Sequence, residues 1–434
     1  MLQTVTIQNF KSLKDVTVKL QKVNLLIGPN NSGKSNFLKA LTFLKEHIDG
    51  NLSSQGQGLN RFAFGQELYR YEPIAIGLSW DFPEENIGKF FYRLEILGLE
   101  EKIFTYREGI GCSKNPIDPK LNLKEIDFVI KKFYEADIFF SNLSYLKIKA
   151  IDQWLSKANE LPSRNYNLSI NIKTGSISKG DHNFNIGGFL DAKDTYFIPR
   201  LSEVLRTLKI YKPDPSRITK ENLLLFDKHV NEDCSNLVAF LDNMRDEHPD
   251  VYGGIEKDLN RCLPAFKGIR FEKVKINNKE GQIGKRFGLI DTAKRTYWAE
   301  ELSEGTIYFL ALLAIIHQPN PPKVLLLEEP EKGIHPRRIA EVMDLIFRLA
   351  EEKDIQIILT SHSTQVVDAF QDIPESVFVF DIENGETKIK NLLTDIIEPD
   401  NKNAKDKDYP KLDFSKHSLG EHWAIGFLGG VPAK

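Results

Sequence analysis

Apolar and polar positions alternate with period two in Thr4-Val5-Thr6-Ile7-Gln8 and again in Val16-Thr17-Val18-Lys19-Leu20. That spacing predicts two half-buried strands. Val23–Ile27 is almost continuously apolar, the pattern of a strand buried on both faces, and it ends at Gly28. Phe37, Leu38, Leu41 and Leu44 then recur at helical spacing. The order is strand, glycine-bearing loop, helix. Asn51–Gln66 is polar and reads as a loop, and Pro73–Phe82, Lys89–Ile96 and Lys102–Arg107 predict an antiparallel meander. Gly111–Lys120, with glycine, asparagine and two prolines, reads as a boundary. Leu123–Leu161 is helical by periodicity, and Leu168–Gly188 is strand-like and then glycine-rich. Leu201–Leu208 and Asn222–Leu263 predict helices, followed by strands at Phe266–Ile276 and Lys285–Asp291. The pattern then gives helix Ser303–His317, buried strand Val324–Leu327, helix Arg338–Ala350, and short strands at Ile355–Leu359 and Val377–Phe380. Pro399–Lys411 reads as a solvated linker before a short glycine-rich tail. No internal repeat and no sustained heptads are present, which argues against a long coiled-coil arm.

Composition narrows the classes. The chain has 434 residues, enough for two or three substructures. With 41% hydrophobic and 27% charged residues it is ordinarily globular. The longest uncharged apolar run, Ile307–Ile316, is half of what a membrane-spanning helix needs (about 20 residues). Cys112, Cys234 and Cys262 lie far apart and form neither a disulfide framework nor a zinc pattern. Their spacing fits a reducing compartment, and the N-terminus lacks an apolar signal core, so a cytoplasmic protein without membrane insertion is expected. Lys and Arg number 58 against 61 Asp and Glu, so no whole-protein basic field for nucleic acid exists.

The chemistry begins at residues 28–35, GPNNSGKS, which fit G-x-x-x-x-G-K-[ST]. Gly28 and Gly33 allow backbone geometry that a side chain would block. The N–H groups across Asn30, Asn31, Ser32 and Gly33 can then turn inward as a nest for phosphate oxygens. The helix that opens at Lys34, Ser35 and Asn36 adds its positive end. Lys34 can reach the β- and γ-phosphates, and the Ser35 hydroxyl can ligate Mg²⁺. Val324–Leu327 runs into Glu328-Glu329-Pro330-Glu331, which puts carboxylates at the carboxyl edge of a buried strand. One can hold Mg²⁺, and the next can orient and deprotonate an attacking water. Leu302-Ser303-Glu304-Gly305-Thr306 opens a helix. Ser303 is an N-cap in the plain reading; in the sharper one it joins an anion-binding helix start, with Gly305 allowing close backbone approach. Thr360-Ser361-His362-Ser363 follows the next strand, where an imidazole can face the γ-phosphate and the lytic water.

These four elements in this order resemble the ABC-type ATPase head of the SMC and RecF proteins. GPNNSGKS is similar to its Walker A, LSEGT to its signature, VLLLEEPE to its Walker B and TSHS to its switch-histidine loop. Ile7-Gln8-Asn9-Phe10-Lys11-Ser12-Leu13 also resembles the start of those heads. EEPEKGIHP and the missing coiled-coil arm most resemble stand-alone ATPases of the OLD (overcoming lysogenization defect) group, AAA-family ATPases of prokaryotic antiviral defence that often stand beside a nuclease. The C-terminal GEHWAIGFLGGVP resembles a tail of such ATPases.

The resemblance implies an α/β fold: an ABC-ATPase head with a mixed central sheet, an antiparallel β subdomain and a helical insertion. The expected division is 1–120 for the N-terminal lobe, 121–265 for a mainly helical insertion, 266–395 for the C-terminal lobe and 396–434 for linker and tail. It also implies a head-to-tail homodimer, or a higher homo-oligomer, with ATP and Mg²⁺ between the heads. Lys34 and Ser35 would bind ATP in cis, and Ser303 and Gly305 would contact the γ-phosphate held by the other subunit. Glu329 would be the catalytic base, Glu328 the Mg²⁺-associated residue and His362 the γ-phosphate sensor, with Lys11 and Ser12 near the nucleotide. Glu328 stands where the family has Asp, and Glu304 where a second glycine is common. Gln66 is the candidate for the Q-loop glutamine. Only 53 residues follow Asp381, too few for the TOPRIM nuclease of the fused members, so the effector is expected as a separate chain.

The leading expectation is therefore an ATP-hydrolysing dimeric switch controlling a separately encoded effector, a nuclease, in antiviral defence. The alternatives are a RecF-like repair ATPase that clamps DNA and an ATP-dependent assembly scaffold with little turnover. A transporter subunit fits less well, because residues 36–302 separate Ser35 from Ser303, far more than a compact motor needs. Lys131-Lys132 and Lys147–Lys149 are modest basic clusters that leave DNA contact open.

Overall fold

The computed structural model describes residues 1–48, 62–66, 72–81, 89–100, 103–113, 168–171, 176–179, 182–185, 209–220, 222–223, 229–275, 283–319, 321–407 and 418–431. The chain opens with β1 (Leu2–Phe10), β2 (Leu13–Lys19), β3 (Val23–Ile27) and α1 (Lys34–Ile48). Then come β4 (Ile74–Asp81), β5 (Lys89–Glu100), β6 (Ile103–Ser113), β7 (Leu168–Asn171), β8 (Ser176–Lys179) and β9 (His182–Asn185). The middle holds β10 (Lys209–Tyr211), α2 (Pro215–Ile218), β11 (Asn222–Leu223), α3 (Leu237–Glu247), α4 (Pro249–Cys262), β12 (Phe266–Lys275), β13 (Ile283–Asp291) and β14 (Thr296–Trp298). The last part holds α5 (Glu304–His317), β15 (Val324–Glu328), α6 (Pro336–Glu352), β16 (Gln356–Thr360), α7 (Thr364–Asp368), β17 (Val377–Glu383), β18 (Glu386–Asn391), α8 (Glu398–Lys407) and α9 (Leu419–Ala424).

These elements form two compact units. The first comprises Met1–Gln21, Asn31–Leu208 and Asp381–Ile389; the second comprises Lys22–Asn30, Lys209–Phe380 and Lys390–Lys434. In the first, a sheet runs in the order β2-β1-β4-β5-β6, antiparallel at every step. The expected meander is present. Val5 pairs with Val18 on one side and Leu78 on the other, and all three are buried, as the alternating pattern requires. α1 buries Phe37, Leu38, Leu41 and Leu44, and its Phe43 ring meets Phe10 edge-on at 5.3 Å.

In the second unit, five strands run parallel in the order β10-β15-β16-β3-β17. β3 and β16 are buried at every position, which explains their mostly apolar sequence, and the buried Asn24 is satisfied by donating to the Ile357 carbonyl. Parallel strands share one carboxyl edge, so β3, β16 and β15 deliver their following loops to the same side. α5 is buried from Ile307 to His317, so the longest apolar run is a central core helix. Asp258 of α4 ties this core together: it lies 2.8 Å from His317 Nε2 and 2.6 Å from Arg348 Nη2.

Three expectations need correction. Asn222–Leu263 is not one helix: Asn222–Leu223 is strand β11, helix begins only at Leu237, and α3 and α4 break at His248, whose φ of −136° and ψ of 63° lie outside the helical region. Pro249 favours this break, because the α region is sterically disfavoured for the residue before a proline. The Gly111–Lys120 boundary begins inside β6, which extends to Ser113. Pro399–Lys411 is not simply a linker: α8 spans Glu398–Lys407, with Glu398 and Asp400 in its first turn, where they suit the helix dipole. The helices expected at Leu123–Leu161 and Leu201–Leu208, and both basic clusters, lie outside the described residues.

Candidate functional site

The phosphate loop connects β3 to α1. Gly28 (φ 145°), Asn31 (φ 64°) and Gly33 (φ 102°) all take backbone conformations that L side chains rarely adopt. At Gly33 a side chain is excluded twice, because a Cβ there would lie 2.1 Å from Thr387 Oγ1. Thr387 fixes the loop from below. Its Oγ1 lies 3.0 Å from the Ser32 carbonyl and 2.7 Å from Ser12 Oγ, and its N–H donates to the Ser12 carbonyl at 2.7 Å. A carbonyl can only accept, so Thr387 donates to Ser32 and receives the Ser12 proton. Asn36 Nδ2 also donates to Ser12 Oγ, at 2.9 Å. Ser12 and Asn36, both expected near the nucleotide, thus meet in a buttress behind the loop.

Lys34 is 6% exposed at the start of α1, and Ser35 beside it is exposed. Ser32 Oγ is buried without a hydrogen-bond partner. A buried, unsatisfied hydroxyl in a loop of left-handed residues at a helix start is a fit to a phosphate group. Asn30 and Asn31 are exposed on the same turn. Lys11 (φ 53°) donates its backbone N–H to the Phe62 carbonyl at 2.7 Å, and its ammonium lies 5.5 Å from the Phe62 ring centre. Gln66 closes a short turn at Phe64–Gln66.

The acidic edge is built by EEPEKGIHP. β15 ends at Glu328, and Glu329 turns left-handed with φ 47°. The Glu329 N–H donates to the Thr360 carbonyl at 3.1 Å, which ties the turn to the end of β16. A left-handed glutamate is uncommon, and here the Thr360 bond holds it in place. The chain then turns through Gly333 (φ 75°), His335 caps α6 and Pro336 takes its first position. Glu328 Oε2 accepts from Lys212 Nζ at 2.7 Å, and this hydrogen bond raises the lysine ammonium above its usual range. Lys212, just after β10, carried no sequence signal.

Glu331 was also missed, although it is the third carboxylate of the same run. Its Oε1 accepts from Ser361 Oγ at 2.5 Å and from the His362 N–H at 3.3 Å, while Oε2 is buried without a partner. Burial pushes its carboxyl above the usual range, against the Ser361 hydrogen bond. Glu331 therefore holds the backbone that carries His362, whose residue is exposed at the edge.

Ser303 caps α5: its Oγ accepts from the Thr306 N–H at 3.2 Å, and the residue is exposed. Gly305 has a reason the sequence did not show. A Cβ there would lie 2.0 Å from the Gly333 carbonyl oxygen. The close backbone approach is to the protein's own Glu329–Gly333 turn, so α5 rests directly on the acidic edge. Beside that edge, a cleft of about 290 Å³ is walled by Gly28, Asn30 and His362 and by Trp423, Gly430 and Val431 of the tail. No group of three or more metal-binding side chains occurs among the described residues. A Mg²⁺ shared with phosphates needs only one or two protein ligands, and the exposed hydroxyl of Ser35 suits it in kind.

The chain is similar to known proteins. The chain is 33% identical over 129 residues to the energy-coupling factor transporter ATP-binding protein EcfA2 of Bacillus licheniformis, covering 29% of this chain and 42% of that one. It is 26% identical over 175 residues to an uncharacterized ABC transporter ATP-binding protein of Methanocaldococcus jannaschii, covering 40% and 52%. The chain thus spans about half or less of the curated relatives it matches. A crystal structure of an SMC head bound to the C-winged helix domain of ScpA aligns over 90% of this chain and 96% of its own, with TM-score 0.50 and 12% identity. The α/β fold is that of an ABC-ATPase head. The model of the ATPase-domain family described as "AAA domain, putative AbiEii toxin, Type IV TA system" matches residues 23–368, most of the chain, and the chain belongs to that family.

Proposed function

We propose that the protein binds and hydrolyses ATP, and that two copies close on it as a switch for a separately encoded effector in antiviral defence. One observation carries the catalytic part. β3, β16 and β15 lie side by side and parallel, and their carboxyl ends carry Gly28-Pro29-Asn30, Thr360-Ser361-His362 and Glu328-Glu329. Three elements scattered through the sequence thus reach one sheet edge, the usual ligand side of such sheets.

In this reading, the Gly28–Ser35 backbone and Lys34 bind the phosphates. Glu329, fixed by its bond to Thr360, orients a water and takes its proton as it attacks the γ-phosphate. His362, held through Glu331, donates a hydrogen bond to the γ-phosphate. Mg²⁺, when bound, screens the phosphate charge; Ser35 and Glu328 would hold it, with Lys212 the cation that Glu328 must exchange. Ser303, exposed at the start of α5, is free of the core and suited to reach the nucleotide of a second copy. ATP binding would favour the closed pair and hydrolysis the open one. The defence role and the nuclease effector are supported by motif resemblance alone.

The test is phosphate release and mass in solution. Lys34→Ala should lose nucleotide binding. Glu329→Gln should bind ATP, accumulate as a dimer and hydrolyse at least about a hundredfold more slowly. Turnover by Glu329→Gln at the wild-type rate would remove the base assignment. Mixing Lys34→Ala with Ser303→Arg subunits should restore one working site per dimer, and no restoration at any ratio would count against Ser303 acting in trans.

A further inference from the structure

The tail, Ser418–Val431, is far in sequence from the motifs around Gly28 and His362, yet it reaches both. α9 opens with a reciprocal cap, in which Ser418 Oγ accepts from the Glu421 N–H and the Glu421 carboxylate accepts from the Ser418 N–H, both at 3.3 Å. The Gly420 N–H donates to Asp368 Oδ1 at 2.7 Å, and a Cβ on Gly420 would lie 2.3 Å from the Thr364 carbonyl. α9 therefore lies directly on α7, the helix that begins two residues after His362. The chain then turns back through Gly426, Gly429 and Gly430, with φ of 83°, 74° and 64°. The Gly430 carbonyl accepts from Trp423 Nε1 at 3.3 Å. A Cβ on Gly430 would stand 2.5 Å from Val379 Cγ1 and 3.4 Å from Gly28 Cα.

From this packing we infer that the tail is a built wall of the nucleotide site, and that Trp423 and Gly430 are positioning residues for Gly28 and His362. The inference rests on the nucleotide reading above. Three facts distinguish the wall from a simple seal over the core. Its residues line the same cleft as Gly28, Asn30 and His362. One end grips the helix behind the histidine, and the other stands beside the first glycine of the phosphate loop. Trp423, 7% exposed, bolts the two ends together through Gly430. A loop that must hold a γ-phosphate to a fraction of an ångström needs such support.

Two glycines give a matched test in the full-length protein. A Cβ on Gly429 meets nothing within 4 Å, so Gly429→Ala carries left-handed strain without crowding. Gly430→Ala carries comparable strain and crowds Val379, whose displacement disturbs the segment beside Gly28. We would measure the Kd of a fluorescent ATP analogue, KM, kcat and Tm for both, and for Trp423→Phe. Gly429→Ala should bind as wild type. Gly430→Ala should weaken Kd and raise KM by about tenfold, and Trp423→Phe, which loses the N–H and part of the ring's volume, by about threefold. A seal without a positioning role would instead lower Tm and the active fraction while Kd and KM stayed constant. That result, or wild-type affinity in both Gly430→Ala and Trp423→Phe, overturns the inference and leaves the ATPase reading intact. Trp423→Phe decides if Gly430→Ala does not fold. Absence of nucleotide binding by the wild type would overturn the underlying reading, and the wall with it.

Discussion

Gly305→Ala separates two explanations of one glycine. If the glycine serves only to let a phosphate approach, the nucleotide-free protein should tolerate alanine, and even gain about 1 kcal/mol of helix propensity. The packing predicts the reverse. The new Cβ would stand 2.0 Å from the Gly333 carbonyl oxygen, against 3.4 Å for the nearest ordinary contact, so α5 or the Glu329–Gly333 turn must retreat by about 1.4 Å. The obstacle is backbone and has no rotamer to escape into. Overpacking of this kind costs about 1–3 kcal/mol, and the upper end applies where nothing can rotate away. Less the helix gain, the net loss is about 2 kcal/mol, or about 4–8 °C in Tm for a unit of this size. The assay is thermal and urea unfolding without nucleotide, followed by ATP turnover. Because the displaced turn carries Glu329, turnover should fall as well. A nucleotide-free Gly305→Ala protein as stable as wild type would refute the close approach and return the glycine to the phosphate reading.

Three other changes probe the supports of the site. Thr387→Val keeps the shape but strips the Ser32 carbonyl of its donor; stability should fall by about 1–3 kcal/mol and nucleotide Kd should rise, and unchanged values of both in calorimetry would exclude the buttress. Asp258→Ala leaves His317 and Arg348 without their shared carboxylate and should cost about 3–5 kcal/mol at pH 7. Burial opposes ionisation of Asp258, yet hydrogen bonds from His317 and Arg348 hold its carboxyl below the usual range. The folded pKa is thus below the unfolded one. Its contribution is complete above the ordinary carboxylate pKa and lost as pH falls through the depressed one, so the gap between variant and wild type should close in acid unfolding curves. Glu331 has the opposite sign: burial raises its carboxyl, so its favourable protonated form is lost as pH rises through that raised value. Glu331→Gln should therefore raise Tm at pH 8, with the gain shrinking towards pH 4, while kcat falls because Ser361 and His362 lose their charged acceptor. A lower Tm at pH 8 would contradict the burial argument.

Legibility varied with the range of the interaction. Val23–Ile27, Val324–Leu327 and Ile355–Leu359 could be read as buried strands because a strand covered on both faces is apolar at nearly every position, without alternation. The Asn222–Leu263 region misled because periodicity registers a helical face and passes over the strand at Asn222–Leu223, the turns before Leu237 and the His248-Pro249 break. Among site residues, GPNNSGKS and EEPE stood out because their chemistry is contiguous in the chain. Lys212 and Thr387 did not, because each bonds a residue far away in sequence.

The sequence by itself determined the local geometry of the phosphate loop and the order of the four motifs. Backbone conformations, caps and strand burial are set by residues within a few positions of one another. The tertiary structure alone decided why Gly33 and Gly305 must be glycine, what Ser12 and Asn36 hold, and that the tail stands beside Gly28 and His362. Each of these depends on an atom delivered from another part of the chain, such as the Thr387 hydroxyl, the Gly333 carbonyl or the Gly430 backbone. No one-dimensional pattern records which distant atom will fill a given space; only packing does.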